Sequence, residues 1–198
     1  MKILHLSDTH GYHRRLPELP DADVVVHSGD FTMNGSEQEA LDFLNWFCEL
    51  PHRHKIFICG NHDICLYGAG IEGLDSNVHY LCNSGITLDG VSFYGVPMFM
   101  HDCITDRQAR NYANIPADTD ILITHTPPYG ILDFDSNIHY GSKELLARVA
   151  IVKPHLHLFG HIHSQYGVEI SCNVTFSNGA LMNAEDSDLR SPRLMECF

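Results

Sequence analysis

Five apolar runs of five or six residues recur along the chain: Ile3 to Ser7, Asp23 to Ser28, His54 to Cys59, Asp120 to Thr124 and His155 to Phe159. Each is too short for a stable helix and rich in Val, Ile and Leu, so each reads as a strand buried on both faces. Helical patterns separate them. Ser36-Glu37-Gln38-Glu39 is a capping box. Behind it Ala40, Phe43, Leu44 and Phe47 keep helical spacing until Leu50-Pro51 stops the helix, with Phe43, Trp46 and Phe47 expected in the core. A second helix follows Ser142, with Leu145, Leu146, Val149 and Val152 on one face, and ends before Pro154. Strands alternating with helices define an α/β chain. Alternating stretches at Val78 to Cys82, Ile86 to Pro97 and Val168 to Phe176 add expected antiparallel strands. With 198 residues and no repeat or linker, residues 1–198 read as a single domain. Ile64 to Asn77 and Pro127 to Gly141 read as irregular, and the second, carrying Tyr129, Phe134 and Tyr140, is long enough to be a functional loop.

The residues that end these strands are unusual. They are Ser7-Asp8-Thr9-His10, Gly29-Asp30, Gly60-Asn61-His62-Asp63, Thr124-His125 and Gly160-His161-Ile162-His163. Three of the five follow a glycine, which lets the backbone turn sharply. Ligands of α/β sheets gather beyond the carboxyl ends of the strands, so all five sets can meet at one edge. Asp8, Asp30, Asn61, His10, His125, His161 and His163, before counting His62, are too many ligands for one ion and enough for two. Carboxylate, amide and imidazole together suit Mn, Fe, Zn or Co, and the lack of cysteine disfavours a structural zinc site. Two aspartates against two divalent ions leave the site locally positive, as a phosphate pocket requires.

That positive site lies in an acidic protein. Lys and Arg number 12 against 25 Asp and Glu, a net charge of −13, which argues against polymeric nucleic acid and anionic membranes as partners. The 15 histidines outnumber all Lys and Arg. Four of them, His5, His27, His155 and His157, lie within strands and are expected to be packed core groups. His13 is expected on a solvated turn, and His52 and His54 are expected to be exposed. His101 and Asp102 are left outside the site. Seven scattered cysteines without a CxxC pair, no signal-peptide core and no spanning segment point to a cytoplasmic protein with reduced thiols, where the sequons at Asn34 and Asn173 carry no meaning.

Taken in order, Asp8-x-His10, Gly29-Asp30, Gly60-Asn61-His62-Asp63, Thr124-His125 and Gly160-His161-x-His163 resemble the signature of the calcineurin-like metallophosphoesterase superfamily. Gly29-Asp30-Phe31-Thr32, the helix with Trp46 and Thr124-His125-Thr126-Pro127-Pro128-Tyr129-Gly130 resemble its small metallophosphoesterase-domain subgroup found in animals and bacteria. The resemblance implies a four-layer α/β/β/α sandwich of two mixed sheets around a dinuclear metal centre, with manganese favoured. Asp8, His10 and His163 would hold one ion, Asp30 would bridge, and Asn61, His125 and His161 would hold the other. His62 would be the general acid, and a hydroxide bridging the ions would attack phosphorus in line. The implied reaction is hydrolysis of a small phosphodiester, with a nucleotide or cyclic nucleotide as one substrate class. The alternatives are a phosphomonoesterase on a small metabolite and a catalytically silent scaffold, which the presence of Asp30 and His62 disfavours. Phosphoprotein phosphatases of the superfamily carry Asp and Arg three and four residues after the bridging Asp, and Arg before Asn-His. Met33, Asn34 and Gly60 stand there in this chain, so the arginine clamp for a dianionic monoester is missing.

Overall fold

The computed structural model describes residues 1–183 and 188–197. Its strands are β1 (Lys2–Leu6), β2 (Val24–His27), β3 (His54–Phe57), β4 (Val78–Tyr80), β5 (Ser84–Leu88), β6 (Val91–Val96), β7 (Ile121–Thr124), β8 (Phe134–Asp135), β9 (Ile138–His139), β10 (Leu156–Phe159), β11 (Gly167–Ser171), β12 (Val174–Asn178) and β13 (Arg193–Glu196). The helices are α1 (Glu37–Glu49), α2 (Met100–Ile104), α3 (Arg107–Ala113) and α4 (Lys143–Val152). One sheet runs β13-β1-β2-β3-β4 and the other β11-β12-β10-β7-β6-β5, while β8 and β9 form a separate hairpin. The inner strands of both sheets are parallel, and β13, β11 and β5 are antiparallel edges.

Strand alternation builds the layers. Ile3, Val24, Val26, Ile56 and Ile58 of the first sheet pack against Phe93, Ile121, Ile123, Leu156 and Leu158 of the second. On the outer face of the first sheet Leu4, Leu6, Val25 and Phe57 receive Ala40, Phe43 and Phe47 of α1. On the outer face of the second, Leu122, Phe159, Val174 and Phe176 receive Tyr112 of α3 with Leu145, Val149 and Val152 of α4. The result is the expected α/β/β/α sandwich. Both ends of the capping box are made: the Ser36 hydroxyl accepts from the Glu39 N–H at 3.3 Å, and the Glu39 carboxylate accepts from the Ser36 N–H at 3.1 Å.

Several local expectations are corrected. β4 pairs parallel to β3, Lys55 opposite Val78, because the long 64–77 segment returns the chain to the starting edge and not through a hairpin. Short α2 and α3 fill the 100–113 stretch, and β13 closes the first sheet antiparallel to β1. The 127–141 stretch contains the β8–β9 hairpin. His13 is buried, its ring against Phe43 and Trp46 and its Nε2 3.2 Å from an Asp42 carboxylate oxygen, because α1 lies over it. His52 is buried and donates to the Pro20 carbonyl at 3.0 Å, and His54 is half-buried. His155 is exposed, one residue ahead of β10.

Candidate metal centre

The carboxyl ends of β1, β2 and β3 in one sheet and of β7 and β10 in the other face the same edge of the sandwich. There the chain leaves regular geometry. Asp8 (φ 52°), His10 (φ 44°), Asp30 (φ 55°) and His161 (φ 71°) all take the left-handed conformation. Each such residue costs roughly 1–3 kcal/mol, a strain that concentrates at functional sites. Backbone bonds hold them there, with Asp8 N–H donating to the Gly29 carbonyl at 2.9 Å and His10 N–H to the Asp30 carbonyl at 3.0 Å.

The glycines ahead of the ligands do more than turn the chain. Gly29 does turn, at φ +105°. Gly60 and Gly160 do not need positive φ; they leave room for carboxylates. A Cβ at Gly60 would lie 2.2 Å from Asp30 Oδ1, and one at Gly160 would lie 2.0 Å from Asp8 Oδ2. No side chain fits at either position while the aspartates stay in place.

Three sets of side chains bring their ligand atoms within 4.8 Å of one another: Asp8, His10 and His163; His10, Asp30 and His62; Asp30, His125 and His161. His10 and Asp30 are each common to two of them. His163 Nε2 lies 3.3 Å from Asp8 Oδ1 and 3.2 Å from His10 Nε2, and His125 Nε2 lies 3.2 Å from Asp30 Oδ2 and 3.1 Å from Asn61 Oδ1. Two imidazole nitrogens at that separation beside buried carboxylates make a donor set for a divalent cation. The rings are aimed from behind. His10 Nδ1 donates to the Thr32 carbonyl at 3.1 Å and His125 Nδ1 to the Ser28 carbonyl at 2.9 Å, so each Nε2 faces the centre.

Charge accumulates accordingly. Burial opposes ionisation of Asp8 and Asp30, but the histidines around them hold both carboxyls below the usual range. Burial pulls His125 down, yet the Asp30 carboxylate pushes it up to about 10. A cation held at that position would take the place of this proton. The residues present therefore fit two divalent ions.

His62 sits at the same centre. Its backbone N–H donates to Asp30 Oδ1 at 2.8 Å, its Nδ1 donates to the Met33 carbonyl at 2.6 Å, and its ring meets His10 edge-on at 4.7 Å. The structure thus brings all eight predicted site residues to one edge. His101 and Asp102 lie on α2 and join none of the clusters found among the described residues.

Sequence reasoning misses two supporting residues. Asp63 is fully buried, and its carboxylate accepts from the N–H groups of Asp30 and Gly60, both at 2.8 Å, and from Thr32 N–H at 2.9 Å. It ties the β2 loop to the β3 loop. Burial and the nearby Asp30 charge raise its pKa to about 7. Its one signal is its place directly after Asn61-His62. Arg190 spends one guanidinium nitrogen on the carbonyls of His163, Ala180 and Met182 at 2.9 to 3.2 Å, bracing the turn that carries His163. No motif marks it.

The profile of the family described as calcineurin-like phosphoesterase matches residues 1–165. A UPF0046 protein of Caenorhabditis elegans is 37% identical over 96% of this chain and 78% of its own length; another is 35% identical over 92% and 70%. The human metallophosphoesterase domain-containing protein 1 is 30% identical over 98% of this chain and 70% of its own. Among solved structures, TT1561 of Thermus thermophilus superposes with a TM-score of 0.64 at 13% identity over 91% of both chains, a likeness of fold alone. The shared fold, the matched profile and the convergent Asp and His clusters lead to one conclusion: the chain belongs to the calcineurin-like phosphoesterase family, whose members are metal-dependent hydrolases of phosphoesters.

Proposed function

We propose that this metal-dependent phosphoesterase is a phosphodiesterase for small substrates, working with two divalent ions, manganese favoured. Asp8, His10 and His163 would hold one ion, Asn61, His125 and His161 the other, and Asp30 both, in keeping with its Oδ2 lying 3.2 Å from His125 Nε2 and 3.9 Å from His10 Nε2. When bound, the ions supply a nucleophile at neutral pH and neutralise charge on the phosphoryl oxygens. The chain's own part is orientation and proton supply. Asp63 and the Thr32 and Ser28 carbonyls fix the ligands. His62, with Nδ1 committed to the Met33 carbonyl, keeps its other ring nitrogen to give a proton to the departing oxygen.

The observation that carries the diester reading is the want of an arginine clamp. Gly60 cannot be replaced by any side chain without displacing Asp30. Met33 offers its carbonyl to His62, and the Asn34 N–H and amide bind the Glu39 carboxylate. Arg190, next to His163, is engaged by backbone carbonyls. A monoanionic diester needs less positive charge than a dianionic monoester, which suits such a site. Free cysteines support the cytoplasmic placement, and the net charge of −13 supports small-molecule phosphoesters over nucleic acid polymers. No helix among the described residues is long and apolar enough to cross a membrane. The test compares bis(p-nitrophenyl) phosphate with p-nitrophenyl phosphate on Mn²⁺-loaded protein. A higher kcat/KM for the diester is expected; a clear preference for the monoester overturns the diester reading.

A further inference from the structure

A cavity of about 440 Å³ adjoins the metal centre on the side of α1, with His10, Tyr12, Met33, Gln38, Glu39 and Asp42 in its wall. His10 belongs to two of the three donor clusters, so the cavity reaches the centre itself. His62 is set between two of the lining residues. Its ring meets His10 edge-on at 4.7 Å, and its Nδ1 donates to the Met33 carbonyl at 2.6 Å. A nitrogen of His62 lies within 4.8 Å of the ligand atoms of His10 and Asp30. A group whose oxygen takes a proton from His62 as it departs therefore has this cavity beside it. The wall decides what fits there. Its two carboxylates are already engaged. Glu39 accepts from the N–H groups of Met33, Asn34 and Ser36 at 3.1 to 3.2 Å, and Asp42 accepts from the Arg14 Nε–H at 3.0 Å with His13 Nε2 at 3.2 Å. Neither is left to draw in a cation. The rest of the wall is uncharged: half-buried Tyr12 and Met33 and the exposed amide of Gln38. The Arg15 guanidinium lies over the Tyr12 ring, 4.1 Å from its centroid, and holds that ring in place. An aromatic ring and a thioether each favour an aromatic neighbour over an aliphatic one of the same size.

We propose that this cavity receives the departing alcohol of the diester, and that Tyr12 and Met33 select alcohols bearing an uncharged aromatic ring. The inference rests on the phosphodiesterase reading above and narrows it to a substrate class. A cavity of this size holds one ring on a short linker and falls within the range of small-ligand pockets.

Methyl 2-phenylethyl phosphate offers two alkoxide leaving groups of similar acidity, so the alcohol released reports which group occupies the cavity. On Mn²⁺-loaded protein 2-phenylethanol is expected in about tenfold excess over methanol, the effect of one or two aromatic contacts. Methyl 2-cyclohexylethyl phosphate, of the same bulk without the aromatic ring, should show an excess several-fold smaller. Tyr12→Phe should keep the preference and Tyr12→Leu should lower it toward that of the cyclohexyl ester, with metal content measured in both. Equal release of the two alcohols, an excess as large for the cyclohexyl ester, or a preference untouched in Tyr12→Leu overturns the subsite. Where neither dialkyl ester turns over, calorimetric titration of the same two esters decides the subsite: tighter binding of the phenylethyl ester that is lost in Tyr12→Leu upholds it, and equal affinities reject it. Hydrolysis of bis(p-nitrophenyl) phosphate reports separately on the phosphodiesterase reading, which fails if that ester is also left intact.

Discussion

Histidines inside the strands and histidines a few residues beyond their ends are the same side chain put to opposite uses. His5, His27 and His157 are fully buried, and burial drives each down to about 3. Neutral neighbours meet them: His5 has the hydroxyls of Ser177 and Ser28, both at 2.9 Å, His27 has Thr9 at 3.0 Å and the Gly29 N–H at 3.3 Å, and His157 has Thr124 at 2.9 Å on Nε2, with Nδ1 unpaired among the described residues. Beyond the strand ends, His10 and His125 give one nitrogen to a backbone carbonyl and turn the other toward buried aspartates. The difference lies in the partners, uncharged groups that suit a neutral ring against carboxylates that leave room for a cation. Burial alone does not separate the groups, since His125 is as buried as His157.

The sharpest way to break this comparison is at the shared carboxylate. Asp30→Asn should cost ~10³-fold or more in kcat, because several kcal/mol of charge stabilisation rest on it. Metal analysis should show fewer than two ions. His157→Phe, inside its strand, should leave metal content unchanged. Normal turnover with two ions in Asp30→Asn removes the bridging role.

Next in size is His62→Ala. Loss of ~10²–10⁴ is expected for alkoxide-like leaving groups and much less for nitrophenolate, as general acid catalysis predicts. A leaving-group series with metal content measured in parallel checks it. Equal losses across the series eliminate proton donation, and lost metal places His62 with His10 and Asp30 as a ligand. His161→Gly should weaken one ion more than the other in a metal titration, and unchanged affinity and rate exclude it as a ligand.

A separate effect, on stability and not on turnover, concerns pH. The strand-interior histidines stay neutral when folded but titrate near 6.5 when unfolded, so between about 6.5 and about 3 the unfolded chain binds more protons. Stability should be fully present above this window and fall as pH drops through it, by up to ~1.4 kcal/mol per pH unit per group. Thermal melts of His157→Phe against the native chain should show a shallower acid slope in the variant. Identical slopes contradict a neutral buried His157.

The same contrast explains what could be read in the sequence. The parallel strands are legible because burial on both faces makes them continuously apolar, and the ligands because they stand where those runs stop. α2 and α3 escape notice because they bury polar side chains, Asp102 and Gln108, together with Tyr112, and carry no apolar period. β13 is a half-exposed edge strand with little pattern to read. The burial of His13 comes from α1, a contact between elements that local sequence does not encode. The space made by Gly60 and Gly160 for the aspartates, and the bracing by Asp63 and Arg190, exist only once separate loops meet.

The central claim is that the strand-end constellation holds two divalent ions and that phosphoester hydrolysis depends on them. It is tested most directly by stripping the protein with a chelator, titrating Mn²⁺ back and following bound metal and bis(p-nitrophenyl) phosphate hydrolysis together. No activity is expected in the stripped chain, with recovery that tracks metal and saturates at two ions per chain. Full activity in a chain shown by metal analysis to be empty would contradict it.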